Sequence, residues 1–463
     1  MSSTSELLGF AARLRESILT PESGAWALLG SNPGACEADF EKLARQLFAL
    51  QFEHNAAYRR LCEARGARPD TVTRWTDIPA APTSAFKEFD LSCLPPAEQT
   101  TVFHSSGTTA QKPSRHYHNA SSLALYEASL LRWFEAHFQL PIANCQSDET
   151  APALRGSLPI ASSQTGEAEP APGRKLAIGH WQLAILTPPP AQAPHSSLVH
   201  MFETIRREFG WGGSAFVGQV AKDGAWALDG AAAQRRLQAA STSGQPVLML
   251  GTAFSFVHLL DYLAEQDLRF ELPPGSCALE TGGYKGRSRS LPKAALHALI
   301  SERLGLAPDH IVCEYGMSEL SSQAYDCAIA CALNRGGDGS SPVETTGLQD
   351  MGTSRPHPGS RAQGASECRG TLSRLPPSAS RFTPPASRLF SFPPWARVQI
   401  ISPETGDEVA EGETGLIRVF DLANVYSVMA IQTEDLGIRH GNGFTLAGRA
   451  VLAEPRGCSL LAV

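Results

Sequence analysis

The sequence predicts an α/β protein whose sheet is mostly parallel and flanked by helices. Three observations carry that reading. From about residue 180 onward, short apolar runs alternate with stretches of helical periodicity, the pattern of strand–helix–strand units. Pro246–Gly251 (Pro-Val-Leu-Met-Leu-Gly) is apolar on both faces, as a strand must be when helices cover the sheet above and below, and Ile311–Tyr315 reads as a second such strand. Cys277–Gly286 and Ile311–Glu319 each run out of a strand into a glycine turn, and ligands of open α/β sheets sit at such carboxyl ends.

A chain of 463 residues can bury a large core. Hydrophobic content of 42% with 18% charged residues fits a soluble globular class, and a net charge of −7 argues against nucleic acid as a partner. No apolar run reaches the length of a membrane span, and the opening Met-Ser-Ser-Thr-Ser-Glu-Leu-Leu lacks the basic region and apolar core of a signal peptide. The ten cysteines form no Cys-x-x-Cys pair, so reduced thiols in the cytoplasm are expected, and neither a disulfide scaffold nor a zinc site.

Leu7, Leu8, Ala11, Leu14 and Ile18 recur at helical spacing over 5–20, as do Phe40, Leu43, Leu47, Leu50 and Tyr58 over 38–64. Two prolines bar a continuous helix from Asp77–Phe89, which reads as a connector. Ser121–Phe138 is helix-like. Over 142–176 the apolar period vanishes among Ser, Gln, Thr, Glu, Pro and Gly, so an exposed, poorly ordered insertion is expected. His180–Leu186 is a short strand, Pro194–Phe209 a helix, and Ala215–Leu228 a hairpin around Asp223-Gly224. Helices follow from Phe254 to Gln266 and from Pro292 to Leu304. Residues 327–392, rich in Ser, Pro, Gly and Arg, again have no period; disorder is the leading reading, and a mistranslated gene segment would look the same. Strands resume at Trp395–Pro403 and Gly415–Phe420 around a Glu404–Asp407 turn; Val428–Gly437, which carries Gln432–Leu436, and then Gly441–Leu446 and Arg449 follow with no element assigned.

The chain is organised around Phe103–Lys112 (Phe-His-Ser-Ser-Gly-Thr-Thr-Ala-Gln-Lys). Ser105, Ser106, Thr108 and Thr109 offer four hydroxyls, Gly107 lets backbone N–H groups face an anion, and Lys112 adds positive charge. Such a loop suits polyphosphate oxygens, and the N-terminus of the helix-like stretch behind it could help. It is not a Walker A loop. Taken alone, an ordinary Ser/Thr-rich turn is the better explanation.

The order of the motifs changes that weighing. A Ser/Thr/Gly loop is followed by a Gly-Gly strand end, then Tyr-Gly-x-Ser-Glu (Tyr315–Glu319), then Thr-x-Asp-Leu (Thr433–Leu436), then Gly-Arg. This succession resembles the adenylate-forming superfamily of acyl-CoA synthetases, peptide-synthetase adenylation domains and luciferases. Ser318 stands where that pattern has Thr, and Glu434 where it has Gly. Glu280–Arg287, Glu314–Asp326 and the closing Glu454-Pro455-Arg456-Gly457-Cys458-Ser459 look most like the acyl-protein synthetases, the LuxE-type fatty-acid-activating component of bacterial bioluminescence.

The resemblance implies a large adenylating domain that joins a carboxylate to the α-phosphate of ATP. Ser105, Ser106, Gly107, Thr108, Thr109 and Lys112 would embrace the β- and γ-phosphates, Glu319 would hold Mg²⁺, and Ser318, beside Gly316, would bond the α-phosphate. Gly282, Gly283 and Tyr315 would flank adenine, Asp435 would take the ribose hydroxyls with Arg449 nearby, and Lys285 is a further cation for the acyl-phosphate. Each residue has a bland alternative. Glu319 and Asp435 could be solvated or capping carboxylates, Tyr315 a core aromatic, and Lys112, Lys285 and Arg449 surface charges. The shared order favours the site. Cys458 is evenly balanced between a thiolate that takes the acyl group, its pKa lowered by Arg456, and an inert thiol in a frayed tail. His195 or His200 could meet the substrate carboxylate, but for these and His258 a core or surface place is the simpler expectation; Phe254 and Phe256 could line an acyl pocket or merely fill a helix face.

Only fourteen residues follow Arg449, so the superfamily's lysine-bearing C-terminal lid is expected to be essentially absent. The expected division is an adenylating domain over 1–447 and a hinge remnant and tail over 448–463. The expected activity is ATP-dependent activation of a carboxylic acid, a fatty acid by resemblance, with transfer to a protein thiol and a possible acyl-acceptor or reductase partner. Two alternatives are a phenylacetate-CoA-ligase-like synthetase and a non-catalytic nucleotide- or acyl-binding subunit of a reductase complex.

Overall fold

A computed structural model describes residues 3–20, 33–105, 112–138, 181–283, 288–326 and 388–450. In chain order its helices are α1 (Ser3–Leu19), α2 (Pro33–His54), α3 (Ala56–Ala64), α4 (Ala85–Glu88), α5 (Ala120–Phe138), α6 (Ser197–Phe209), α7 (Gly230–Ser243), α8 (Ala253–Glu265) and α9 (Lys293–Leu304). The strands are β1 (Ala81–Pro82), β2 (Thr101–His104), β3 (Arg115–His118), β4 (Gln182–Ile185), β5 (Ala215–Phe216), β6 (Gly218–Val220), β7 (Trp226–Leu228), β8 (Val247–Thr252), β9 (Cys277–Thr281), β10 (Ile311–Tyr315), β11 (Ala324–Asp326), β12 (Phe390–Ser391), β13 (Ala396–Ile401), β14 (Thr414–Asp421), β15 (Ala430–His440) and β16 (Gly443–Arg449). None of the described helices is long and apolar enough to cross a membrane.

Twelve strands form one sheet, in the order β13-β14-β15-β16-β12-β11-β10-β9-β8-β4-β5 with β1 beside β15. From β10 to β5 every pairing is parallel. From β10 to β13 the later strands extend the sheet by antiparallel pairing, which short turns such as His440–Gly443 permit. All residues of β8, β9 and β10 are buried, as the apolar runs predict for strands covered on both faces. Leu248, Leu250 and Leu279 join a core with α1, α2, α5 and α6, whereas Met249, Ala278 and Ile311 face α7, α8 and α9.

Several boundaries differ from the sequence reading, each for a local reason. The helix expected over 38–64 breaks at Asn55, whose side chain caps α3 by accepting from the Tyr58 N–H at 3.0 Å. Leu8 is 51% exposed although it reads with the apolar face of α1. The Asp77–Phe89 connector contributes β1, which pairs with β15 at Ala81↔Ile431. Of the Ala215–Leu228 hairpin only β6 and β7 pair with each other, because β5 joins the central sheet. Helix α7 was not expected, yet Asp229 caps its start and Gly244, at φ +70°, its end. The aperiodic stretch read over 327–392 ends earlier: Arg388 pairs with Asp326 at 2.7 Å and β12 lies between β11 and β16. The rest of that stretch, and 142–176, lie outside the described residues.

Candidate nucleotide and acid site

The loop singled out by sequence closes a hairpin. β2 and β3 pair at Phe103↔His116 and His104↔Arg115. At the loop's base the Ser105 N–H donates to Ser114 O at 3.3 Å, and the Ser114 N–H donates to Ser105 Oγ at 2.9 Å. The expectation that a helix N-terminus backs this loop is corrected: β3 intervenes, and α5 begins only at Ala120 behind an Asn119 cap. The alternation Arg115-His116-Tyr117-His118 explains it, since His116 and His118 are buried while their neighbours are partly exposed. Lys112 is half-exposed and pairs with Glu88 at 3.6 Å. Ser106, Gly107, Thr108, Thr109, Lys285 and Cys458 lie outside the described residues.

His116 ties the hairpin to the turn after β10. Its Nδ1–H donates to the Ser318 carbonyl at 2.8 Å, which fixes the tautomer, and burial lowers its pKa, so the ring is neutral near pH 7. Ser318 Oγ donates to Glu319 Oε2 at 3.0 Å, and Glu319 is fully buried. The turn is held from behind. Asp421 accepts from the Ser321 N–H (2.9 Å), the Ser322 N–H (2.8 Å), Ser322 Oγ (2.8 Å) and the Ala423 N–H (3.0 Å). Asn424 Nδ2 donates to Glu319 O at 2.8 Å, and Gln51 Nε2 donates to Asn424 O at 2.8 Å. Burial raises Asp421 to about 6 against the pull of those bonds, which leaves it a carboxylate at pH 7.

The residues expected at the ribose also meet this turn. Tyr315 Oη donates to Asp435 Oδ2 at 3.0 Å; Arg449 Nε stands 3.2 Å from Asp435 Oδ1 and its Nη2 2.7 Å from Glu434. Antiparallel register between β15 and β16 sets Asp435 opposite Arg449. The Tyr315 ring is edge-on to Phe444, centroids 5.5 Å apart. Gly282 adopts φ +71° at the end of β9, a conformation that favours glycine. Gly316 leaves room for a different group: a Cβ there would displace the Glu314 carboxylate.

Glu314 opens the Glu314–Asp326 resemblance but has no role among the residues that resemblance assigns. It lies on the α5 face of the sheet, 4% exposed, and accepts a hydrogen bond from Thr281 Oγ1. Burial pushes its pKa up to about 7 from 4.5, so the folded protein holds an extra proton between those values. Stability from this group is full below about pH 4.5 and is lost as pH rises through about 7. That difference corresponds to roughly 3 kcal/mol. Glu314→Gln is therefore expected to flatten the decline in unfolding free energy between pH 5 and 8, measured by urea titration; an unchanged slope would show that Glu314 is not its source. On the opposite face Glu280 sits 3.3 Å from His297 and 3.6 Å from Lys293, whose ammonium also meets Cys313 Sγ. Burial opposes ionisation of Glu280, but the Lys293 charge and His297 outweigh it and hold the carboxyl at about 2.

The remaining candidates divide. His195 brackets β2, its backbone oxygen accepting from the His104 N–H at 2.9 Å and its Nδ1–H donating to Val102 O at 3.1 Å, so it stands beside the loop. His200 pairs with Glu127 at 3.1 Å. Phe254 and Phe256 are core residues of α8, the plainer of their two expected places. Among the described residues no group of three or more His, Cys, Asp or Glu side chains is placed to hold a metal ion.

No family model and no curated protein matches the sequence. Solved structures do match. One is 2-hydroxyisobutyryl-CoA ligase in the postadenylation state in complex with 2-HIB-AMP, 12% identical over 89% of this chain and 67% of that one, with a TM-score of 0.52. Another is an open conformation of that ligase in complex with 2-HIB-AMP and CoA, 12% identical over 92% of this chain and 78% of that one, also at 0.52. The chain thus shares its α/β fold with adenylate-forming ligases.

Proposed function

We propose that the chain activates a carboxylic acid with ATP and passes the acyl group to a thiol. One observation carries the reading: separate hydrogen bonds bring residues far apart in sequence to one turn, that of Tyr315–Glu319. The strand that leaves the Ser105–Ser114 base carries His116, which bonds the Ser318 carbonyl; Ser318 Oγ donates to Glu319, and Tyr315 at the start of the turn is bonded to Asp435. In the reaction a substrate carboxylate oxygen attacks the α-phosphorus, the bond to the β-phosphate breaks, and pyrophosphate leaves. Both reactants are anions, so the chain must align them and offset their repulsion. The loop hydroxyls and Lys112 hold the β- and γ-phosphates, Ser318 turns its hydroxyl to the α-phosphate, and Asp435, oriented by Arg449, accepts from the ribose hydroxyls. Glu319 and Ser318 offer only oxygen donors, which fits Mg²⁺, a cation usually held by one or two carboxylates with phosphates and waters. When bound, Mg²⁺ would neutralise phosphate charge.

The resemblance to acyl-protein synthetases supports a fatty acid as substrate, Cys458 as the thiol that attacks the acyl adenylate and releases AMP, and a cytoplasmic setting. Acid-dependent exchange of pyrophosphate into ATP, run over a panel of acids, tests the activation step. Labelled acid retained on the denatured protein, and lost in Cys458→Ser, is the expected sign of the thioester. Acyl-CoA formed in its place would assign a CoA ligase, and the absence of exchange with every acid would leave a binding subunit.

A further inference from the structure

The two faces of the sheet differ at the carboxyl ends of β9 and β10. On one, Tyr315 meets Asp435. On the other, Glu314 lies cross-strand from Tyr325, takes a hydrogen bond from Thr281, and sits against Gly316, which also abuts Gln323. Glu314 is 4%, Gln323 5% and Tyr325 0% exposed. Among the described residues Tyr325 Oη and Gln323 Oε1 have no hydrogen-bond partner. The Tyr325 ring is wedged against His137 of α5, centroids 5.1 Å apart, so its hydroxyl is held in place.

Folded proteins pair nearly all their buried polar atoms, because each unpaired one forfeits its hydration with no return. Two such atoms beside a desolvated carboxyl form a set with one shared need. Glu314 and Gln323 Oε1 can accept, and Tyr325 Oη can accept or donate. An unsubstituted alkyl chain would leave Tyr325 Oη and Gln323 Oε1 unserved and add nothing to the bond Glu314 takes from Thr281. A group that donates hydrogen bonds would serve them, and an ammonium would also supply the counter-charge that Glu314 lacks at neutral pH.

We infer that the acid bound by this chain carries a hydrogen-bond donor, a hydroxyl or an ammonium, which enters between Glu314, Gln323 and Tyr325. This rests on the adenylation reading only in taking that acid to be the one activated. Sites built to hydrogen-bond a substrate group reject the analogue that lacks it far more strongly than apolar pockets reject a missing methylene. The substituted acid should therefore win by at least about ten-fold.

Calorimetric titration of the full chain without ATP tests the inference. The probes are butyrate beside its 2-, 3- and 4-hydroxy and -amino derivatives, and octanoate beside 3-hydroxyoctanoate. At least one substituted acid should bind about ten-fold or more tightly than its parent. Tyr325→Phe should shrink that ratio while the ligand-free melting temperature holds or rises, since it deletes an unpaired buried hydroxyl. Glu314→Gln should erase any preference for the amine over the hydroxyl. Equal affinities, no binding by any substituted acid, or ratios untouched by both substitutions would overturn the inference. Pyrophosphate exchange with the tightest acid separates the two readings. Selective binding without exchange overturns adenylation alone, and exchange driven best by the unsubstituted acids overturns the donor-bearing substrate alone.

Discussion

Replacing Glu319 by Ala is expected to lower acid-dependent pyrophosphate exchange by roughly a thousandfold while leaving the protein folded. The expectation follows from how the residue is held. Its side chain is fully buried and takes a hydrogen bond from Ser318 Oγ at 3.0 Å. Its backbone is fixed separately, by Asn424 Nδ2 donating to Glu319 O at 2.8 Å and by Asp421 gripping the next turn at Ser321 and Ser322. Truncation removes the carboxylate and spares those bonds, so the turn keeps its shape. Glu319→Gln sharpens the test. The amide preserves the volume and can still accept from Ser318, but it has no negative charge to hold a cation against the phosphates. If charge is the contribution, Gln should be nearly as inactive as Ala. Exchange at the wild-type rate in Glu319→Gln would reduce the residue to a filler of the turn and remove the central element of the proposed site.

The parallel half of the sheet was legible because its evidence is local. A strand apolar on both faces needs cover on both faces, and β8, β9 and β10 have it. Helix α7 was missed because its apolar residues are mostly alanines, Ala233 and Ala240 among them, which bury without standing out in an amphipathic count. Its boundary residues, Asp229 and Gly244, were the available signals. β11 and β12 were missed because strands of three and two residues have too few positions to show alternation. Their pairing comes from partners distant in sequence, Tyr325 with Ser391 and Phe390 with Phe444.

The site shows the same division. Tyr315, Ser318, Glu319 and Asp435 could be picked out because a spaced motif marks them, and the hydrogen bonds among them and their neighbours now place them together. His116 carries no motif, and Glu314 opens the Glu314–Asp326 resemblance without a role of its own. A histidine in a strand and an acid before a tyrosine are ordinary in sequence; only the fold shows one bonded to the Ser318 carbonyl and the other sealed under α5's face of the sheet. Lys293 illustrates the converse. It looks like a first-turn surface lysine, yet it reaches Glu280 at 3.6 Å beneath the sheet.

Asp421 is a third residue of this kind, and its loss should be the most costly to stability. Asp421→Ala is expected to lower the unfolding free energy by about 4 kcal/mol, read by urea titration at pH 7. The carboxylate is fully buried and serves four donors, at Ser321 N, Ser322 N, Ser322 Oγ and Ala423 N, between 2.8 and 3.0 Å. Removing it strands donors that water cannot reach, a larger penalty than the loss of one exposed bond. Asp421→Asn should also destabilise, by roughly half as much, because both oxygens now accept and an amide offers only one acceptor to the same donors. The same substitutions should weaken exchange, since Ser318 and Glu319 lead directly into Ser321 and Ser322, which Asp421 anchors. An Asp421→Ala protein within about 1 kcal/mol of wild type would mean the turn is secured chiefly by Asn424 and Gln51. Retained stability with lost exchange would instead separate the anchor's effect on geometry from its effect on folding. Loss of both together is the expected result, because the carboxylate that holds the turn to β14 anchors the residues that follow Ser318, whose carbonyl meets His116 of β3.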